Sequence, residues 1–266
     1  MNNLLQAIYS KKNQYDRSLF ALQYCIDNQP QDVQRAIWVA SIPHFFNKFY
    51  LINILNPNYK LPSEVFTRLI SMPFVDKYKS FYSISESNRL LLVSHFSVTA
   101  PKDFYTFNCR SFLYFYNNGK SDDYRDVIES FYHGLLINSY DAIFIVLSVL
   151  RNRLDKNELT EEFIDQIISR VNEIQSLPKK NIDKDNKILD NFSTLLKLVI
   201  KLIKNANRNE SKSIEYFDII VKKYFPKENY YNIQDIWGCF INENIIQKEK
   251  IMNMRILQNR FIGNCD

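Results

Sequence analysis

Apolar residues recur at three- and four-residue intervals along most of this chain, the mark of helices that bury one face. Residues 3–11 and 16–27 show it first, and in the second Leu19, Phe20, Ala21, Leu22 and Cys25 lie near one side. Pro30 opens the next helix in its first turn, where a missing N–H costs nothing. Val33, Ala36, Ile37, Trp38 and Ala40 carry that helix on until Pro43 breaks it. A helix over 45–55 ends at the turn signal Asn56-Pro57-Asn58. Pro62-Ser63-Glu64 starts another, with Val65, Phe66, Leu69 and Ile70 as its apolar set.

The period changes at Pro73. Residues 73–78 are short and β-prone, Lys79-Ser80 reads as a turn, and 81–85 reads as a second strand, so the segment predicts a β-hairpin. Helical spacing returns over 86–96 with Leu90, Leu91, Leu92 and Val93. Beyond Pro101 the pattern is helical throughout, in segments near 102–118, 122–137, 140–153, 160–176, 185–205, 211–224 and 231–260. Antiparallel neighbours joined by short turns are the simplest packing for them. No strict repeat marks a regular solenoid. The polar run 178–187 is the candidate linker or long loop. The expected fold is mainly α: a winged-helix-like part with a small β-hairpin over 1–98, an α-helical array over 99–177, and a basic helical region over 178–266.

Helices followed by a β-ribbon are the winged-helix order. The stretch Arg35-Ala36-Ile37-Trp38-Val39-Ala40-Ser41-Ile42-Pro43-His44-Phe45-Phe46 resembles the winged-helix region of bacterial STAND-type signal-transduction NTPases, in which a helix ending in a small-x-Pro step precedes an apolar helix. Leu69-Ile70-Ser71-Met72-Pro73-Phe74-Val75-Asp76, then Phe81-Tyr82-Ser83-Ile84 and Asn88-Arg89-Leu90-Leu91-Leu92, look like the same module's last helix, wing and closing helix. The helices around Phe131-Tyr132-His133 look like the helical array that follows it. The similarity covers about residues 15–150 and rests on apolar pattern and element order. It implies a place in bacterial signalling or defence. Two departures limit what it implies. Those NTPases carry a phosphate loop ahead of the module, whereas no GxxxxGK[ST] occurs anywhere here. Many relatives place a nucleotide-sensing His just after the second wing strand. Ser85 stands at the matching position, and a hydroxyl cannot carry the charge of an imidazolium. ATP binding is therefore not carried over, and no cofactor is expected.

Composition narrows the field further. Four glycines in 266 residues argue against a sheet-rich or phosphate-cradling fold, both of which lean on positive φ. Cys25, Cys109, Cys239 and Cys265 form no CxxC pair and are expected to be reduced core thiols. The start of the chain lacks a basic region leading into an apolar one. The most apolar run, 142–150, is too short for a bilayer. The expected location is cytoplasmic, with no membrane span. The net charge of +5 is uneven: residues 1–176 carry 18 basic and 18 acidic side chains, whereas 177–260 carry 16 and 10. A basic third of this kind attracts acidic partners.

Candidate chemistry is sparse. His44, His95 and His133 have no i, i+4 spacing among themselves and no HExxH, so structural or surface roles are expected and no metal site. Cys25 with His44 has no local support as a nucleophile pair, and a buried thiol is expected. Asp122, Asp123, Asp126 and Glu129 cluster near a helix start, where acidic groups favour the dipole. Phe104, Phe107, Phe112 and Phe115 recur near helical spacing and read as packing. No catalytic residue is assigned. Surfaces remain. The helix from Ser63 offers Arg68, and the hairpin offers Lys77 and Lys79, the candidate nucleic-acid contacts, although Glu64 would repel phosphate. The last helix mixes apolar and basic residues, with Lys248, Lys250, Met254, Arg255 and Arg260 as candidate partner-binding residues. The expected function is a non-enzymatic protein–protein interaction or adaptor module. The alternative is a nucleic-acid-binding regulatory protein using the wing and the basic C-terminal third.

Overall fold

The computed structural model describes residues 2–55, 61–118, 124–137, 141–156, 158–177, 186–205 and 210–224. The described residues are mainly α, with one small antiparallel hairpin. The elements run α1 (Asn2–Tyr9), α2 (Gln14–Asp27), α3 (Gln31–Ser41), α4 (Lys48–Leu55), α5 (Ser63–Ile70), β1 (Val75–Tyr78), β2 (Phe81–Ile84), α6 (Glu86–Thr99), α7 (Pro101–Asn118), α8 (Tyr124–Leu136), α9 (Asp141–Asp155), α10 (Glu161–Ser176), α11 (Asn186–Asn205) and α12 (Glu210–Tyr224). The expected helix over 231–260 and residues 178–185 of the polar run lie outside the described residues. No described helix is long and apolar enough to cross a membrane.

The described residues up to Tyr114 form one compact unit, and those from Phe115 onward form a second. In the first, α3 is central. It packs against α2, α4, α5, α6 and β2, and Val33, Ala36, Ile37, Val39 and Ala40 are all buried. The two alanines leave room for neighbouring elements to approach on more than one side. Pro30 and Pro62 stand as the N-cap residues of α3 and α5, one position ahead of the first helical residue. Asn13 caps α2 by accepting a hydrogen bond from the Asp16 N–H at 2.8 Å.

One expected helix is shorter than its periodicity. Residues 45–47 are not helical, and α4 begins at Lys48. Phe46 instead forms an antiparallel bridge to Tyr82, exchanging both backbone hydrogen bonds at 2.8 and 2.9 Å. Pro43 obstructs a helix here, and the bridge satisfies backbone groups that would otherwise be buried unpaired. Asn47 then starts α4, its side-chain oxygen accepting from the Tyr50 N–H at 2.7 Å. This also corrects the placing of His44 at a helix start: it lies in a bend between α3 and that bridge.

The hairpin pairs Val75 with Ile84, Asp76 with Ser83, Lys77 with Tyr82 and Tyr78 with Phe81. Tyr82 stacks on Phe46 at 6.1 Å and meets the Phe66 ring edge-on at 5.6 Å, which ties the hairpin to α5. Two arginines serve helix ends. Arg110 Nη1 donates to the Ile54 and Leu55 carbonyls at 2.8 and 3.1 Å, at the C-terminus of α4. The buried Arg89 points Nη1 at the Ile42 carbonyl, 3.5 Å away, where α3 ends. Cations belong at these negative dipole ends.

In the second unit the helices close on themselves: α8 packs on α9 and α10, α10 on α11, α11 on α12, and α12 returns to α9. Thr160 caps α10 by accepting from the Phe163 N–H at 3.3 Å. Arg151 on α9 grips Asp218 on α12 with two hydrogen bonds of 3.0 and 3.2 Å. The core is Phe131, Ile143, Val146, Leu147, Leu150, Phe163, Ile164, Ile167, Phe192, Leu196 and Phe217, with their neighbours.

Candidate functional site

Two places gather polar chemistry: the outer surface of α5 with the hairpin in the first unit, and a buried cluster between α8 and α10 in the second. The first holds the residues singled out from the sequence. Arg68 is exposed in the last turn of α5, Lys77 is exposed in β1, and Lys79 is exposed at the hairpin tip. α5 packs against β1, so the elements that carry the three are neighbours. Lys79 has φ 53° and lies in the left-handed region, where a Cβ is crowded. A two-residue hairpin turn needs a positive φ there, and no glycine is present to supply it. Its Nζ sits 5.4 Å from the ring centroid of Tyr78, which is 62% exposed. Glu64 and Asp76 are exposed in the same elements. α5 and the hairpin thus expose three cations, two carboxylates and a tyrosine, with Asp76 and Tyr78 on the face of β1 opposite to Lys77.

The second place is one that sequence reasoning missed. Glu129 and His133 stand i, i+4 on α8, with Nε2 and Oε2 3.6 Å apart, and they are 1% and 0% exposed. Arg170 of α10 brings its Nε to 3.8 Å from the other carboxylate oxygen and is itself 20% exposed. One helical turn along, Tyr132 donates its hydroxyl to Glu173 of α10 at 2.5 Å. The Phe115 ring lies parallel to the His133 imidazole at 5.5 Å. A buried carboxylate needs a compensating charge. Arg170 supplies it, and the imidazole adds to it only when protonated. The expectation that Glu129 belongs with the acidic groups favouring the dipole at a helix start is corrected: α8 begins at Tyr124, and Glu129 lies beyond its first turn, facing the core. Asp126 does lie in that first turn, and Asp122 and Asp123 are outside the described residues. The signal available was a glutamate and a histidine four apart inside an otherwise buried stretch, 128–137.

The other sequence candidates separate. His95 is half-buried and stacks on Trp38 at 5.9 Å. Burial pushes its pKa below the ordinary imidazole value, and the Asp27 carboxylate pulls part of the way back. Cys25 is exposed rather than a core thiol, because the buried stripe of α2 is Leu22 and Ile26 and Cys25 is turned about 100° from Ile26. Cys109 is buried as expected, and Cys239 and Cys265 lie outside the described residues. Phe104, Phe107, Phe112 and Phe115 are all buried packing residues. Lys248, Lys250, Met254, Arg255 and Arg260 lie outside the described residues. Among the described residues no three His, Cys, Asp or Glu side chains are grouped to hold a metal ion. No protein-family model, curated protein or solved structure matches the chain.

Proposed function

We propose that this chain is a non-enzymatic protein–protein interaction or adaptor module, with a winged-helix-like first unit followed in the chain by a helical array, of the kind found in bacterial STAND-type signalling proteins. The order α3, Phe46 bridge, α4, α5, β1, β2 supports the winged-helix reading, with the Phe46–Tyr82 pairing as its third strand position. The observation that carries the interaction reading is the surface of α5 and the hairpin. A duplex reader presents arginines and amides toward base edges and lysines toward phosphates. Here Glu64 and Asp76 are exposed in the same elements as Arg68, Lys77 and Lys79, and Tyr78 is exposed beside the hairpin turn. An exposed tyrosine and an arginine are the residue types enriched at protein interfaces, and charged side chains belong to the polar rim around such anchors. Glu129 and His133 are enclosed, so the role of their cluster with Arg170 is to hold α8 to α10 rather than to meet a substrate. An exposed Cys25 thiol fits a reducing compartment such as the cytoplasm.

The test is capture from a lysate of the native cells by the full chain and by a Tyr78→Ser, Arg68→Glu variant. The expected result is a protein retained by the first and lost by the second. The three exposed cations favour a second reading, nucleic-acid binding. Salt-sensitive binding to duplex or single strands, lost in the same variant, would establish that reading and overturn the first.

A further inference from the structure

The outer face of α12 carries a pattern that is complementary to itself. Ser213, Phe217, Ile220 and Val221 are buried, and α12 packs on α9 and α11. On the opposite side Tyr216 is 55% exposed and Ile219 60% exposed, the two largest exposed apolar groups of the second unit among the described residues. They are spaced i, i+3 and so lie on one face. Glu215 is exposed at the N-terminal end of this stripe, and Lys222 and Lys223 are exposed at its C-terminal end. Asp218 stands four residues before Lys222, where it could have neutralised that lysine, but it is engaged by Arg151. Both lysines are exposed beside Ile219, Lys223 with its Nζ 5.7 Å from the Tyr224 ring centroid.

We propose that this stripe binds a second copy of the same chain, the two α12 helices lying antiparallel about a twofold axis through Ile219. In that register Ile219 meets the second copy's Ile219. Glu215 and Lys222 lie on one flank of Ile219, Tyr216 and Lys223 on the other, and the twofold sets each flank against its own copy, so Glu215 faces the second copy's Lys222 and Tyr216 faces the second copy's Lys223. The twofold generates each contact twice, giving two ion pairs and two ammonium–ring contacts around an apolar centre. A parallel pairing would set the lysines against lysines and Glu215 against Glu215, so charge selects the antiparallel arrangement. One helical stripe is far smaller than a standard interface of about 1,600 Å². The dimer is therefore reversible, and its population rises with protein concentration.

Sedimentation equilibrium of the full chain over a concentration series tests this. A closed monomer–dimer equilibrium is expected, weakened about tenfold or more by Ile219→Asp, a loss of roughly 1.4 kcal/mol. Glu215→Lys should weaken it as well, and the double variant Glu215→Lys, Lys222→Glu should restore it, because the swapped pair keeps its complementarity. A chain that stays monomeric at every concentration overturns the proposal. So does a dimer indifferent to Ile219→Asp, a double variant no tighter than Glu215→Lys alone, or open-ended association in place of a dimer.

Discussion

His95 and His133 sit in apolar stretches that look alike in sequence, yet their surroundings differ. His95 lies against Trp38, half in water, with its pKa lowered by burial more than Asp27 raises it. A histidine whose folded pKa lies below its unfolded value binds fewer protons in the native state. Above the unfolded value near 6.5 both states are neutral and the group has no effect. As pH falls from there through the folded pKa, the unfolded chain gains protons first and stability drops. Urea unfolding midpoints should therefore decline between neutral and mildly acidic pH, and His95→Gln should remove part of that decline without changing the neutral-pH midpoint by a similar amount. Glu129 presents the opposite problem, a charge with almost no water. Its replacement by leucine leaves Arg170 without its carboxylate. The expected loss is about 3 kcal/mol, the low end for a broken buried pair, because Arg170 keeps some access to solvent. A midpoint unchanged by Glu129→Leu would show that the pair carries no net stability. Neither environment was legible beforehand. Sequence displays which groups can titrate, but burial is decided by which side of a helix meets a neighbour, and Glu129 and Cys25 each turned out on the side opposite to expectation.

At the scale of elements, the described helices were legible because their signal is local: apolar residues at three- and four-residue spacing, with prolines at Pro30 and Pro62 marking starts. The hairpin was legible for the same reason, since β1 and β2 are joined by two residues. Residues 45–47 were not. A single bridge has no period of its own, and its partner, Tyr82, is distant in sequence. The tip of the hairpin makes a prediction that belongs to this scale. Lys79 holds a conformation costing a residue with a Cβ roughly 1–2 kcal/mol. Glycine avoids that cost but gives up roughly 0.5–1 kcal/mol of chain entropy. Lys79→Gly should therefore raise stability by about 0.5 kcal/mol, and Lys79→Val should lower it, with β-branching at positive φ as the cause. Denaturant midpoints read both. If the glycine variant is the less stable, the Lys79–Tyr78 ring contact is worth more than the backbone strain.

At the scale of the whole molecule, the division into units was hidden because it falls inside a helix. α7 runs from Pro101 to Asn118, with Phe112 buried before Tyr114 and Phe115 buried just after it, so no shift in composition marks the change. Each unit nonetheless buries its own apolar set, around α3 in the first and around the α8–α12 ring in the second. Cooperative opening follows contiguous packing rather than chain order. Phe192 tests this, because it is fully buried in the second unit and packs on Phe131 at 5.4 Å. Phe192→Ala should cost about 3–5 kcal/mol of local stability through lost burial and the cavity left behind. Native-state hydrogen exchange would then show protection falling across α8, α10 and α11, while the amides of α3, α5 and α6 keep their wild-type values. An equal loss in α3 would mean that the two cores open as one body. In that case a surface variant on α5 or the hairpin could alter the second unit by destabilising the whole chain, and binding defects of such variants would have to be separated from unfolding by measuring both.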